Sequence, residues 1–285
     1  MSTPVLTCHD VTKKFGSTMA IDGVTLAIEP GEVVGFVGPN GAGKSTTIRL
    51  IMGLAQPTSG TVSLGVNRCE IGYCPGELRL DDQLTVGHTL RTWEVLRGGV
   101  DPTWVEALTS RFGLDTKRRV RTLSTGNRRK LGLVGAFMAR PSFLVLDEPT
   151  NGLDPLMQEV FATTLREAIA GGATVLLSSH ILAEVQHIAT RVVAQRGGRV
   201  VADAPLNSFT AVRTVDVLVD ASSSPPDFTT LEGADKVRVR GNRVTFEWTG
   251  DPDLLVDKLK KCKLTALTVG EPDLEATLRS YYCAV

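Results

Sequence analysis

Gly38-Pro39-Asn40-Gly41-Ala42-Gly43-Lys44-Ser45 has the spacing GxxxxGK[ST], the Walker A pattern. Each residue type in it suits phosphate. Glycines let successive backbone N–H groups turn inward around phosphate oxygens, where bulkier side chains would block them. A helix beginning near Lys44 adds the partial positive charge of its N-terminus. Lys44 can reach the β- and γ-phosphates of a nucleotide, and the Ser45 hydroxyl can ligate Mg²⁺. Further on, the apolar run Phe143-Leu144-Val145-Leu146 ends in Asp147-Glu148. Such a strand sets adjacent carboxylates at the carboxyl edge of a parallel sheet, where ligands of open α/β folds bind. Asp147 can hold the metal's water shell, and Glu148 can act on an attacking water. In isolation an Asp-Glu pair after a strand is more often a helix cap. The phosphate loop upstream turns the reading to catalysis.

These groups need a frame. Val33 to Val37 is a short, continuous apolar run of the kind buried on both faces of a sheet. It runs into the glycine loop, and Ser45 to Leu54 follows with apolar residues at helical spacing (Ile48, Ile51, Met52). Before it, Val5 to Cys8 and Met19 to Ile28 read as β-hairpin strands. Residues from about Gly76 to Arg140 read as mainly helical. Leu156, Val160, Leu165 and Ile169 mark another helix, and Thr174 to Leu177 a third core strand. Strands alternating with helices predict a largely parallel sheet. After about Asn207 the pattern changes. Thr214 to Val219 alternates as a strand, Val237 to Phe246 reads as a hairpin around Gly241-Asn242, and Asp251-Pro252 opens a helix. A strand at Leu264 to Val269 and a last helix from Pro272 complete a small α+β unit. Its candidate core is Val237, Val239, Val244, Phe246, Leu254, Leu255, Leu259, Leu264, Leu267, Leu274 and Leu278.

Between Asp10 and Pro205 the chain resembles the ATP-binding cassette family. Leu123-Ser124-Thr125-Gly126-Asn127 is similar to that family's LSGGQ signature, and Asn151-Gly152-Leu153-Asp154-Pro155 to its D-loop. Ser178-Ser179-His180 resembles the switch histidine, and Phe15 lies where cassettes stack an aromatic ring on adenine. The resemblance implies an α/β P-loop NTPase cassette over 1–206: a mainly parallel sheet with helices, an antiparallel β subdomain and a helical subdomain at about 76–140. A small accessory α+β domain over 207–285 follows. It further implies Glu148 and His180 as catalytic, and Ser45 and Asp147 as Mg²⁺ ligands. ATP would be bound by Phe15, Gly38, Asn40, Gly41, Ala42, Gly43, Lys44, Ser45 and Thr46, together with Ser124, Gly126 and Asp154. Two copies would sandwich two ATP molecules, the phosphate loop of one facing the signature of the other. They would work beneath separate integral membrane permease subunits, peripherally on the cytoplasmic face of the cell membrane.

Two departures stand out. Thr125 and Asn127 replace glycine and glutamine of the signature, as members of the single-cassette drug and antibiotic exporter branch often do. Where the Q-loop glutamine belongs, Gly76 or Glu77 stands in Ile71-Gly72-Tyr73-Cys74-Pro75-Gly76-Glu77. The tail, Glu271 to Glu275 followed by Tyr281-Tyr282, is also similar to the exporter branch, so the expected function is the ATPase subunit of an exporter. The alternative is a soluble cassette ATPase of translation or DNA repair. Translation-type proteins join two cassettes, and repair-type proteins insert a long coiled coil between the Walker motifs; this sequence has one cassette and room only for a helical subdomain. A small-molecule kinase would need neither signature nor switch histidine.

Composition agrees with a folded protein of about two domains at 285 residues. The 31 basic and 31 acidic residues balance, so no nucleic-acid partner is expected. The 42% hydrophobic content is enough for a core. The longest uncharged helical stretch, Leu131 to Ala139, falls well short of the ~20 residues of a membrane span. Met1 to Asp10 lacks the layout of a signal peptide, and the five cysteines, with no CxxC pair, read as reduced thiols. His9, His88 and His187 belong to no motif. Arg128-Arg129-Lys130 reads as a solvated helix face.

Overall fold

The computed structural model describes residues 3–209, 212–220, 225–260 and 262–270. Glu271 to Glu275, Leu274, Leu278 and Tyr281-Tyr282 therefore lie outside the described residues. The chain divides after Asp203 into two compact units.

In the first unit β1 (Leu6–Phe15) and β2 (Thr18–Ile28) form an antiparallel hairpin, and β4 (Ser59–Leu64) pairs with the other edge of β1. β1 is longer than its apolar start suggests. Its register shifts between Cys8 and Val11, where Asp10 adopts φ 48°, and such bulges erase the clean alternation by which a strand is read. The second sheet carries the order β5-β6-β7-β3-β8-β9, from β3 (Val33–Val37), β5 (Ile71–Cys74), β6 (Phe143–Asp147), β7 (Thr174–Ser179), β8 (Arg191–Arg196) and β9 (Arg199–Pro205). β5, β6, β7, β3 and β8 run parallel. Every residue of β3, β6 and β7 is buried, which is why these strands read as unbroken apolar runs. Between the sheets lies α1 (Lys44–Ile51), whose Ile48 and Ile51 join Leu6, Ile21, Val34, Phe36, Phe143 and Leu176 in one core.

The expected helical stretch contains α2 (Val86–Leu96), α3 (Pro102–Arg111) and α4 (Thr125–Phe137). α5 (Pro155–Ala170) and α6 (Leu182–Gln186) follow β6 and β7. Helix starts obey local chemistry. Asp101-Pro102 and Asp154-Pro155 each place an aspartate at the N-cap and a proline in the first turn, each carboxylate accepting a backbone N–H.

The second unit opens with α7 (Leu206–Phe209) and contains a four-stranded antiparallel sheet, order β11-β12-β10-β13. Its strands are β10 (Arg213–Val219), β11 (Ala234–Arg240), β12 (Arg243–Trp248) and β13 (Leu264–Val269). α8 (Pro252–Leu259) starts at the Asp251 cap. Its core is Val215, Val217, Val219, Phe228, Leu231, Val244, Phe246, Trp248, Leu255 and Leu259, with Val237 packed against it. Val239, Leu254, Leu264 and Leu267, expected inside, are exposed. Val239 lies opposite Val244 but on an edge strand beside the hairpin turn. Leu254 is turned about 100° round its helix from the buried Leu255, and β13 is the other edge strand.

Candidate active site

Strand order builds the site. β7 lies between β6 and β3, with Asp147 level with Ser178 and Val37 level with Ser179. The phosphate loop, the paired carboxylates and the end of β7 therefore emerge side by side at one edge of the sheet, where β-strand carboxyl ends bind ligands.

The loop is held by close approaches. Gly38 adopts φ 156° and sits so near β8 that a Cβ there would lie 2.2 Å from the Gln195 carbonyl oxygen. Gly43 caps α1 in the left-handed conformation, φ 107°, and offers no side-chain acceptor to the helix. The first N–H groups of α1 are thus available to an anion. Lys44 is only 6% exposed, and its Nζ donates to the Gly38 carbonyl oxygen at 2.6 Å. Gln195, fully buried, donates from Nε2 to Thr47 Oγ1 at 3.0 Å and ties α1 to β8.

Across from the loop Asp147 is buried, its Oδ1 accepting from Ser178 Oγ at 2.5 Å and its Oδ2 from the Gly76 N–H at 3.3 Å. Glu148 turns sharply out of the strand at φ 50°, and its N–H donates to the Ser178 carbonyl oxygen at 3.2 Å. This turn aims the carboxylate along the edge. Oε1 lies 3.5 Å from Lys44 Nζ, and Oε2 is hydrogen-bonded to His180 Nδ1. Lysine, glutamate and histidine form one row beside the loop, a row able to grip phosphate and orient a water for in-line attack. The cleft beside it, about 480 Å³, is lined by Asn40 to Thr46, Glu148 and Asn151, and by Thr18, Met19, Ala20, Gly197 and Gly198. Burial pushes the hydroxyl pKa of nearby Tyr73 up to about 12, with the Asp147 charge adding to it.

A profile of the ABC transporter family matches residues 21–151. Nod factor export ATP-binding protein I of Rhizobium etli is 30% identical over 284 residues, covering 93% of this chain and 89% of that protein. The chain belongs to the ABC transporter family. A probable multidrug ABC transporter ATP-binding protein of Escherichia coli is 34% identical over 215 residues, 70% of this chain and 37% of that one. A solved structure of an ATP-binding subunit of an ABC transporter superposes with TM-score 0.66 at 31% identity, covering 72% of this chain and 91% of that one. The chain is thus an ABC transporter ATP-binding subunit with the cassette fold expected from its motifs, and by family an ATPase. The soluble translation or repair alternative is not favoured.

The remaining cassette residues lie elsewhere in the fold. Ser124 caps α4, its Oγ accepting from the Asn127 N–H at 3.3 Å. Gly126 packs on the loop after Glu148, where a Cβ would come within 2.5 Å of the Gly152 carbonyl oxygen. Asp154 caps α5 through the Met157 N–H at 3.0 Å. None of the three is among the residues lining the phosphate cleft. Phe15 is 56% exposed with Lys13 Nζ 5.0 Å from its ring centre, and it pairs across the hairpin with Thr18, a cleft residue. In the Q-loop position it is Gly76, by its backbone N–H, that reaches Asp147, while Glu77 is exposed.

One reading is corrected. Arg128 pairs with Asp82 at the surface, but Arg129 is buried under the loop after β5. Gly132, one turn further along α4, leaves the close approach that admits it: a Cβ there would sit 3.0 Å from Leu78 and 3.3 Å from Cys74 Sγ. Ser178, Asn151 and Gln195 were also missed as site residues. Ser178 and Asn151 carry a sequence signal, since each opens a motif, Ser178-Ser179-His180 and Asn151-Gly152-Leu153-Asp154-Pro155; Gln195 carries none.

Proposed function

We propose that this chain hydrolyses ATP to drive an exporter, with Glu148 as the general base and His180 as the residue that orients it. The observation that carries this is the row Lys44–Glu148–His180 at the sheet edge, with Asp147 adjacent in the chain. ATP would sit with its phosphates in the Gly38 to Thr46 loop and its adenine toward the hairpin bearing Phe15. Ser45 and Asp147 fit Mg²⁺, since both offer hard oxygen donors and each Asp147 oxygen keeps a lone pair after its hydrogen bond. When bound, the ion would neutralise charge building on the β- and γ-phosphate oxygens.

Ser124, Gly126 and Asp154 stand apart from the cleft of their own chain, which supports their serving the ATP of a second copy in a homodimer. Export is supported by the relative whose name carries that role, the Nod factor export ATP-binding protein I. Among the described residues no helix is long and apolar enough to cross a membrane. Separate permease subunits would carry the passage, with this chain peripheral on their cytoplasmic side, a reading supported by its membership of the ABC transporter family. The segment 207–285 is read as an accessory domain that follows a cassette of 1–206 in the chain, with the helical subdomain at about 76–140; a second unit with its own core supports this.

The test is sedimentation of the Glu148→Gln variant with and without Mg-ATP. Bound, uncleaved nucleotide should tie two copies together by mass action. A monomer at every protein and ATP concentration would count against the shared site.

A further inference from the structure

The amide joining Pro75 to Gly76 lies between a cation and a carboxylate. Its carbonyl oxygen, on Pro75, accepts from Arg129 Nη1 at 2.5 Å. Its N–H, on Gly76, donates to Asp147 Oδ2 at 3.3 Å. One planar amide thus spans from guanidinium to carboxylate with its dipole aligned between the two charges, an arrangement in which each hydrogen bond polarises and strengthens the other. Arg129 Nη2 also donates to the Gly76 carbonyl oxygen, and Nη1 lies 3.8 Å from Cys74 Sγ.

Arg129 is only 8% exposed, and it gives its N–H groups to two backbone carbonyls and a thiol. Burying a guanidinium among neutral acceptors carries a desolvation cost that a well-packed apolar side chain of similar volume would avoid. What the cation adds is position: a planar fork holds two successive carbonyls in one geometry. The fit on the other side is equally tight, since a Cβ on Gly76 would come 2.8 Å from Asp147 Oδ2. Asp147 is therefore held from two directions, by Ser178 on β7 and by the Arg129-backed amide. Arg129 belongs to α4, whose first turn carries Thr125 and Gly126 behind the Ser124 cap.

We propose that Arg129 is a positioning residue for hydrolysis, acting through the Pro75–Gly76 amide to fix Asp147 and to couple it to the helix that bears the signature. This rests on the reading of Asp147 as a Mg²⁺ ligand. Displacement of α4 would then move the amide and, with it, the carboxylate.

The experiment compares the full chain with its Arg129→Gln, Arg129→Lys and Gly76→Ala variants. The affinity of a fluorescent ATP analogue is measured in EDTA and in Mg²⁺, alongside thermal melting and the kcat and KM of Mg-ATP hydrolysis. Arg129→Gln should lose most of the affinity that Mg²⁺ adds, keep its EDTA affinity within about twofold, and fall about tenfold in kcat with little change in KM. Arg129→Lys should recover part of this, because an ammonium can reach one carbonyl but cannot span both. Gly76→Ala, which leaves Arg129 in place, should reproduce the loss of the Mg²⁺ increment. Should Arg129→Gln fail to fold, Arg129→Lys carries the same comparison. A wild-type Mg²⁺ increment and kcat in Arg129→Gln would overturn the proposal. So would a fall in melting temperature with EDTA and Mg²⁺ affinities dropping in step, or a Gly76→Ala effect that Arg129→Gln does not share. If the wild-type chain bound nucleotide in neither buffer, the nucleotide reading itself would fall, a result distinct from all of these.

Discussion

Replacing Glu148 by glutamine keeps the size of the side chain and removes its charge and its basicity. The structure gives two consequences of opposite sign. Glu148 Oε1 lies 3.5 Å from Lys44 Nζ. At an effective dielectric near 20, unit charges at that separation attract by 332/(20 × 3.5), about 5 kcal/mol. The desolvation of both groups cancels much of this, but what remains holds Lys44 away from phosphate. Glu148→Gln should therefore bind ATP as well as the wild type, or up to about tenfold more tightly, ~1.4 kcal/mol. Hydrolysis should collapse. Loss of a positioned general base costs ~10² to 10⁴ in rate, about 3 to 5 kcal/mol of barrier. The assay is phosphate release at saturating Mg-ATP, with nucleotide affinity measured in parallel on the same preparation. A variant that kept more than about a tenth of the wild-type kcat would refute the assignment of Glu148 as the base. One that lost ATP affinity more than about tenfold would refute the argument that its charge competes with phosphate for Lys44.

Lys44→Ala removes the buried charge of the phosphate loop and should lower hydrolysis by on the order of 10³; near-normal phosphate release would remove the loop from the mechanism. Burial pushes the Cys8 thiol up to about 12 and raises the Cys74 thiol, so little thiolate forms at either by pH 8. Peptide mapping after iodoacetamide at that pH should find the exposed Cys69 alkylated at least about tenfold faster than both. In the second unit, hydrogen bonds from Arg243, then its charge, hold the Asp216 carboxyl below its ordinary range. A depressed carboxyl stabilises the fold above its unfolded value of ~3.9 and ceases to as pH falls through the native value. Asp216→Asn should accordingly speed hydrogen exchange in β10 and β12 modestly at pH 7, with the difference from wild type shrinking toward pH 3; a difference that grows on acidification would reverse the sign of this argument.

The local pieces of the chemistry are written in short stretches of sequence. The glycine spacing from Gly38 to Ser45, the carboxylates ending β6 and the Ser178-Ser179-His180 end of β7 are legible for physical reasons. Strands buried on both faces must be apolar throughout, and a backbone that cradles phosphate must be rich in glycine. Helix starts were equally local, because Asp154-Pro155 and Asp251-Pro252 cap their own chain. What these pieces meet depends on how distant segments pack. Placing β7 between β6 and β3 depends on pairing among segments far apart in the chain, and that order is what brings Lys44, Glu148 and His180 into a row. Ser178 and Gln195 become site residues only by hydrogen bonds to Asp147 and Thr47 on other elements. Arg129 looks like its solvated neighbour Arg128 in sequence, since a charge is buried or exposed according to the acceptors that other segments bring to it. The same holds in reverse for Val239 and Leu264, apolar by composition yet exposed, because a strand's place at the sheet edge is a property of the whole sheet rather than of its own residues.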